Sequence, residues 1–422
     1  MNILVIGAGG VGTSMAAIAE SRNFFRSFTL ADVSLVAAQR AIEKLTDAQR
    51  FTAVQLDARS ESNIVALIKE CDADFVVNAC DPRLNEPIFN ACFTAGVHYM
   101  DMAMNLSTPH ATDPYNQVGE ILGHKQFSAH EAWIDKGLLA LVGMGVEPGL
   151  SDVFARYAAD NLFDTIDEIG VRDGANLAIE GYDFAPTFSI WTTIEECLNP
   201  PLIWEKNRGI FTTDCFSESE IFYFPEGIGP IECVNVEHEE VLLIPREIEC
   251  NRVTFKYGLG NEFINWLKTF AYLGLDTATK IKVGDVHVAP RDVLAALLPN
   301  PAELGHLMKG KTCAGTWIKG THNGLPREVY LYHVVDNEET MTKWGCQAVL
   351  WQTAICPIVA LELLATGTWT HYGVRGPEAF DASPYLDLLK AYGSPHGMIE
   401  MGEGNWPAAI LTGAPGWSRP VR

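Results

Sequence analysis

The sequence predicts an α/β protein, in which a doubly wound parallel sheet is followed by a mixed α+β domain. Three observations lead to this prediction. Short apolar runs alternate with amphipathic segments over the first part of the chain, and a glycine-rich turn follows the first run. After Gly143 this alternation stops, and turn-rich pieces separate looser strands. Regular alternation indicates parallel strands with crossover helices, because a parallel pair needs a long connection.

The first domain is predicted to contain strands that each end at a glycine, an acidic residue or a polar turn. The predicted strands are Asn2–Ile6, Phe28–Ala31, Thr52–Leu56, Asp74–Ala79, His98–Met102 and Leu138–Val142. The predicted helices between them are Gly12–Glu20, Ser34–Leu45, Glu61–Lys69 and Glu86–Ala95. Six strands that alternate with helices in this way are enough for one dinucleotide-binding sheet of the Rossmann type.

We predict that residues 1–144 form the Rossmann domain and residues 145–345 an α+β domain for substrate binding and dimerisation. Residues 346–422 are predicted to form a C-terminal helical segment that returns towards the first domain and ends in a loose tail. The predicted strands of the second domain are Ile166–Arg172, Val241–Ile244, Val253–Tyr257 and Val329–Val335. The predicted later helices are Asn261–Leu273, Pro290–Leu298 and Cys346–Ala365. The last helix carries polar residues and is short for a membrane span, so we expect it to be buried in the core. The Gly/Pro-rich end is predicted to be a loose tail.

Composition narrows the classes of function. The 422 residues include 30 Lys and Arg against 53 Asp and Glu, a formal net charge of -23. Such a surface repels phosphates, which argues against nucleic acid and anionic membranes as partners and suits cationic ligands such as amines. The 10 cysteines show no C-x-x-C spacing, so we expect no metal site. Reduced thiols and a start unlike a signal peptide predict a cytoplasmic location.

The segment Gly7–Gly12 matches G-x-G-x-x-G in its full context, after a strand and before a helix. Gly7 permits the tight turn, Gly9 lets the backbone approach a pyrophosphate, and Gly12 lets the helix pack on the strand. The free N–H groups at the helix start then face the phosphates. The predicted contacts are Gly7, Gly9, Gly10, Val11 and Gly12.

Acidic and polar residues end the next three strands. Asp32 is expected to accept hydrogen bonds from the adenosine ribose and to repel a 2′-phosphate, so NAD is the favoured cofactor and NADP remains possible. Asp57 is expected near the adenine, or else caps a helix. Asn78 and Ala79 are expected beside the nicotinamide ribose, or else form only a turn.

Three segments together resemble the saccharopine dehydrogenase family: the GAGGVG start, VVNACDP at Val76–Pro82 and GVEPGLSD at Gly145–Asp152. The resemblance implies NAD(P)-dependent hydride transfer at a CH–NH bond of an amino acid or polyamine conjugate. The implied substrates are of the saccharopine, lysine or carboxynorspermidine type, and Gly170–Tyr182 matches none of these members. We further expect a homodimer.

Chemistry at a carbon–nitrogen bond needs a proton relay, and a clamp for the substrate carboxylate. Asp152 and Glu147 lie just beyond the sixth strand, where ligands bind in open α/β sheets. Asp152 is a candidate to hold the amine or to relay a proton, and stabilisation of the helix start is the alternative. Glu147 is a candidate substrate contact.

Two histidines and two arginines complete the set of candidates. His98 and His238 are candidate acid–base residues, and the acidic neighbours of His238 are expected to raise its pKa. Each histidine has a purely structural role as its alternative. Arg172 and Arg246 are candidate carboxylate clamps, with surface ion pairs as the alternative.

Two other functions stay open at this point, because a fold does not decide chemistry. One is a dehydrogenase that acts on an alcohol or aldehyde with the same scaffold. The other is a non-catalytic protein that senses the NAD(P) ratio.

Overall fold

The computed structural model describes residues 1–47, 49–401 and 416–419. The helices and strands of the first part alternate without exception as far as the fifth strand. They are β1 (Asn2–Ile6), α1 (Gly10–Ala19), β2 (Ser27–Asp32), α2 (Leu35–Ile42), β3 (Phe51–Gln55), α3 (Glu61–Glu70), β4 (Phe75–Asn78), α4 (Asn85–Ala95), β5 (His98–Asp101), α5 (His124–Ser128), α6 (His130–Asp135) and β6 (Leu139–Leu141).

The rest of the chain is richer in strands. Its elements are α7 (Leu150–Asn161), β7 (Thr165–Ala175), β8 (Ala178–Ile179), α8 (Ile190–Leu198), β9 (Leu202–Glu205), β10 (Gly209–Thr212), β11 (Glu220–Phe224), β12 (Gly229–Asn235), α9 (Glu240–Glu247), β13 (Arg252–Gly258), α10 (Asn261–Leu273), β14 (Ile281–Val283), β15 (Val286–Val288), α11 (Pro290–Leu297), β16 (Met308–Lys309), β17 (Lys311–His322), β18 (Leu325–Asp336), α12 (Asn337–Trp344), α13 (Ala348–Ala365), β19 (Gly373–Arg375), α14 (Ala382–Ala391) and β20 (Gly397–Glu400).

The first sheet is parallel throughout, and its strand order is β3-β2-β1-β4-β5-β6-β19. Six of these strands match the predicted ones, which confirms the α/β fold class and the Rossmann-type sheet. The seventh, β19, comes from near the end of the chain and pairs with β6. The sequence analysis missed it because three residues between turns show no apolar period.

The second sheet has nine strands and is mixed, as predicted for an α+β domain. Its centre is β7, which pairs in parallel with β13 and antiparallel with β17. The long strands β17 and β18 form a hairpin whose turn is Asn323–Gly324, with φ angles of 53° and 73°. Asn-Gly suits a two-residue hairpin because both turn residues adopt positive φ.

The predicted strand Val241–Ile244 is wrong, since these residues lie inside α9. All four side chains are buried, so the segment shows no amphipathic period of either kind. A short apolar run of this length does not distinguish a buried helix from a buried strand. The error affects the site, because α9 begins next to the acidic residues that the sequence singled out.

Helix α13 packs against α1 and belongs to the main hydrophobic core. It is the one helix among the described residues that is long and apolar enough to cross a membrane, and 78% of that stretch is buried inside the protein. The prediction of a buried core helix is therefore confirmed. Most of the predicted loose tail lies outside the described residues. Within the described part, Trp417 forms an isolated antiparallel β-bridge with Cys215.

We expect Ile358→Ala in α13 to lower the free energy of unfolding by about 2–5 kcal/mol, because it leaves a cavity in the core. Leu297→Ala is the matched control, since Leu297 is 78% exposed and its loss should change stability by less than about 0.5 kcal/mol. Denaturant unfolding of both variants measures the difference. Equal losses would contradict the burial of α13.

Candidate active site

In the turn between β1 and α1, the backbone packs closely against the end of β4 and against the start of α1. Gly7 has a φ of 113°, and a Cβ there would lie 2.5 Å from the carbonyl oxygen of Ala79. A Cβ on Gly12 would lie 1.9 Å from the carbonyl oxygen of Gly7. Gly9 has no atom within 4 Å of its Cβ position and lines a cavity. This open space in front of a helix start fits a pyrophosphate, so the residues present suit a dinucleotide.

Asp32 ends β2 beside this turn, because β1 and β2 are neighbours in the sheet. Its carboxylate accepts hydrogen bonds from the backbone N–H of Ala8 at 2.9 Å and of Ser34 at 2.8 Å. Asp57 lies beyond the end of β3 and is bound by the side chain of Arg59, which lowers its pKa to about 2. Asp57 lines neither of the two cavities described below.

A first cavity of about 280 Å³ lies at the carboxyl ends of β1, β4 and β5. Its walls are the glycine turn with Gly10 and Val11, the segments after β4 and β5, the start of α8 and part of α13. Asn78 and Ala79 line it, and the Asn78 amide donates to the side chain of Asn85 at 2.7 Å. Ligands bind at this edge of open parallel sheets.

Asp101 and Glu239 are anchored acidic residues of the first cavity. The Asp101 carboxylate accepts hydrogen bonds from Gly143 N at 2.7 Å, Tyr99 Oη at 2.8 Å and Gln126 Nε2 at 2.6 Å. Burial nevertheless raises its pKa to about 7. Glu239 accepts a hydrogen bond from the backbone N–H of Met104 at 3.1 Å.

A second cavity of about 480 Å³ adjoins the first and is bounded mainly by the second domain. The two cavities share Glu147, Phe188, Glu196 and Thr353. Burial raises the pKa of Glu196 to about 8. Among the described residues, no Lys, Arg or His lines either cavity. The joint space is therefore acidic and suits a positively charged ligand.

His238 lies behind the cavities rather than in their walls. Its ring stacks on Phe255 with centroids 3.7 Å apart, and its Nδ1 lies 2.5 Å from Oε2 of Glu240. Burial lowers the pKa of His238, but the carboxylates of Glu240 and Glu239 outweigh it and raise the pKa to about 10, as the sequence predicted in direction. The neighbouring carboxylates thus favour the protonated form of His238, and His238 lines neither cavity.

His238, Glu239 and Glu240 place one potential metal ligand atom each within 4.8 Å of one another. Glu240 already has partners within the protein, because it accepts from the Ser151 hydroxyl at 2.8 Å and lies 2.5 Å from Nδ1 of His238. The expectation of no metal site stays a prediction.

The structure does not bring Arg172 to the cavities. Arg172 is 1% exposed and forms a buried ion pair with Glu220. Its neighbour Asp173 lines the second cavity instead. Successive residues of a strand point to opposite faces, so a one-residue step along β7 exchanges a basic candidate for an acidic one.

Arg246 and His98 also lie elsewhere, which corrects their predicted roles. The Arg246 guanidinium lies over the ring of Phe127 at 3.6 Å, in a separate surface pocket. His98 begins β5, at the edge of the sheet opposite the cavities, and accepts from the backbone N–H of Leu139 at 3.0 Å. The sequence did not reveal that only the other end of β5 faces the cleft.

Asp152 is buried in the first turn of α7 and lines neither cavity. One carboxyl oxygen accepts from the backbone N–H of Gly149 at 2.8 Å. This is the contact of a helix-capping residue. It fits the alternative role of Asp152, stabilisation of the helix start, and not a contact with the substrate amine.

Of the acidic residues in the cavities, the sequence analysis singled out Glu147 and the segment that contains Glu239. It missed Glu196, which lies on a helix that was not predicted, and Asp173, which lies next to a chosen residue. No local signal marks Glu196, because a glutamate on a helix usually faces solvent.

Both parts of the chain match family models of known proteins. Residues 3–141 match the family model described as saccharopine dehydrogenase NADP binding domain, and residues 145–394 match saccharopine dehydrogenase C-terminal domain. The chain is 30% identical over 413 residues to carboxynorspermidine synthase of Vibrio cholerae, which spans 96% of this chain and 98% of that protein. It is 28% identical over 399 residues to carboxyaminopropylagmatine dehydrogenase of Synechocystis sp., and this match covers 93% of this chain and 96% of that protein.

Among solved structures, the chain resembles apo saccharopine dehydrogenase (L-Glu forming) from Saccharomyces cerevisiae with a TM-score of 0.68. The match covers 95% of this chain and 100% of that one at 13% sequence identity. A likeness at this level of identity shows the fold.

We expect Gly9→Val to abolish measurable cofactor binding and to leave the unfolding midpoint nearly unchanged, because the added side chain enters open space at the helix start. Gly12→Ala is the informative contrast: its Cβ meets the Gly7 carbonyl, so it should lower stability. Cofactor fluorescence titration and thermal unfolding separate the two effects. Normal cofactor affinity in a folded Gly9→Val protein would refute the site.

Proposed function

The chain belongs to the saccharopine dehydrogenase family and is an NAD(P)-dependent oxidoreductase, and we propose that it acts on the C–N bond of a carboxylated polyamine. The similarity to carboxynorspermidine synthase, which extends over 96% of this chain, carries the proposal. The bound nicotinamide supplies or accepts the hydride. The chain's own residues hold the substrate in the cleft and control its protons.

The charge of the cleft supports a polyamine substrate. A carboxylated polyamine carries more ammonium groups than carboxylates, and the joint cavity offers the acidic side chains of Asp173, Glu196 and Glu239. Saccharopine carries more carboxylates than amines and would need basic side chains as clamps. Since Arg172 and Arg246 lie outside the cavities, a saccharopine-type substrate fits less well.

We assign Glu196 to one substrate ammonium, because its carboxyl lines both cavities at the middle of the cleft. Its pKa of about 8 in the free protein means that the approaching ammonium must displace a proton. Apparent affinity for the amine should therefore rise as the pH increases through about 8, and fall again where the amine itself loses its charge.

We predict that Glu196→Gln raises the KM for the amine substrate at least about a hundredfold, because removing one partner of a buried charge pair costs about 3–5 kcal/mol. Cofactor affinity should stay the same. Glu262→Gln, on the exposed face of α10, is the control with an equal change in charge. Steady-state kinetics across a pH series measures both variants. An unchanged KM would remove Glu196 from the substrate site.

For the cofactor we propose a preference for NAD, carried by Asp32. Two backbone N–H groups hold its carboxylate beside the glycine turn, so it cannot easily swing away from a 2′-phosphate. Placing like charges together costs several kcal/mol.

We expect NADH to bind at least about tenfold more tightly than NADPH, a difference of about 1.4 kcal/mol. Asp32→Asn should narrow this ratio without changing the unfolding midpoint. Fluorescence titration of both cofactors gives the ratio. Tighter binding of NADPH by the wild-type protein would show that Asp32 does not face the ribose.

The reaction is tested in the oxidative direction with carboxynorspermidine and carboxyaminopropylagmatine, with saccharopine and lysine as comparisons. Reduction of NAD or NADP is followed by absorbance. We expect turnover with at least one of the first two compounds. Turnover with saccharopine or lysine alone would replace the polyamine proposal, and turnover with none of the four would overturn it.

A homodimer and a cytoplasmic location remain proposals. Exposed apolar side chains on α10, including Trp266, Tyr272 and Leu273, are suitable for an interface between two copies. Sedimentation of the purified protein tests the oligomeric state.

A further inference from the structure

Glu147 lines both cavities and lies where the two adjoin. Glu147 lies on the turn Gly145–Gly149, directly after the last predicted strand of the first sheet. The backbone N–H of Gly145 donates to the Pro148 carbonyl at 2.7 Å, and the N–H of Leu150 donates to Gly145 at 3.1 Å. The backbone that carries Glu147 is therefore held in place at the junction of the two domains.

The surroundings of Glu147 differ from those of Asp101 on the same cavity wall. Asp101 accepts three hydrogen bonds, which stabilise it as an anchored carboxylate. Both carboxyl oxygens of Glu147 are buried, and no N–H or O–H group in the described part of the chain donates to either. A buried carboxylate without donors is strongly unfavourable. Burial accordingly raises the pKa of Glu147 well above its usual value, so the side chain carries a proton.

The neighbour of this carboxyl is a second acid. The Asp173 side chain, on β7, lies within hydrogen-bonding reach of Glu147 and lines the second cavity. Burial raises the pKa of Asp173 to about 6. Two buried carboxyls in contact share one proton, because both cannot be charged at once. The pair thus connects the point where the cavities meet with the wall of the larger, second cavity.

We propose that Glu147 donates a proton to the substrate nitrogen in the reductive direction and accepts it in the oxidative direction, with Asp173 as a positioning residue that exchanges the proton with solvent. This inference rests on the proposed function. In reduction, hydride adds to the carbon of the C=N bond and the π electron pair moves to nitrogen. The nitrogen then forms an N–H bond with the proton of Glu147, whose O–H bond breaks. Asp173 passes a proton from water to the Glu147 carboxylate.

Burial and the neighbouring carboxyl of Asp173 are the main causes that favour the protonated form of Glu147. The titratable groups that face it are Asp173 on β7, Glu196 on α8, Glu240 on α9, Tyr257 on β13, Cys313 on β17 and Tyr330 on β18. His238 lies behind this group as a cation, and its charge opposes the rise in the pKa of Asp173. Asp173→Asn removes the nearest negative charge and supplies an amide donor, so it should lower the pKa of Glu147.

The test is the pH dependence of kcat in the oxidative direction. Glu147 must then be deprotonated, so wild-type kcat should rise with pH through the pKa of the pair. Glu147→Gln should lower kcat about a hundredfold or more, with a small change in KM, and remove this rise. Asp173→Asn should move the rise to lower pH. An unchanged profile in both variants would overturn the proposal.

A second measurement does not depend on turnover. Infrared difference spectra at neutral pH should show that Glu147→Gln removes a carbonyl band of a protonated carboxyl group, whereas Glu262→Gln, at an exposed position of α10, should leave that band unchanged. A spectrum unchanged by Glu147→Gln would refute the protonated state, whatever the substrate is. Absence of turnover with all four compounds would refute the proposed function and leave the infrared result to decide the carboxyl pair.

Discussion

The buried ion pair between His238 and Glu240 is the interaction on which the cleft depends. The histidine ring stacks on Phe255 of β13, and Glu240 begins α9 and also accepts from Ser151 of α7. The pair thereby fixes three elements around the back of the cavities. It also supplies the positive charge that makes a concentration of buried carboxyls tolerable, since unpaired buried charges cost several kcal/mol each.

One imidazolium does not neutralise all of these acids, and the remainder defines the chemistry of the site. Burial raises the pKa of Asp101, Glu196 and Asp173 to about 7, 8 and 6, so their charge states respond to a ligand near neutral pH. In the proposed function, a cationic substrate in the cavity would balance the charge of these carboxyls. The surroundings of these carboxyls differ: Asp101 accepts three hydrogen bonds, whereas the neighbour of Glu147 is a second acid, Asp173.

The first domain could be predicted from sequence because its signals are local. Apolar runs, a glycine turn and an acidic strand end each report on a few neighbouring residues, and they agree with one another. The second domain gave fewer such signals. The residues of α9 are buried on all sides and show no period, and β19 is too short to show one. The Asn323–Gly324 turn was a usable signal for the β17–β18 hairpin that the sequence analysis did not apply.

The sequence by itself determined the parallel sheet, the dinucleotide turn with Gly9 and Asp32, the family resemblance and the acidic character of the protein. Only the tertiary structure decided which charged residues reach the cleft. Arg172 and Asp173 are adjacent in sequence and lie on β7, which pairs with β13 and β17. Arg172 forms a buried ion pair, whereas Asp173 lines the second cavity. Glu196 comes to the same place on a separate helix. The physical reason is that the direction of a side chain relative to a cavity depends on strand pairing and on packing between distant segments. The residues next to it in the sequence do not report these contacts.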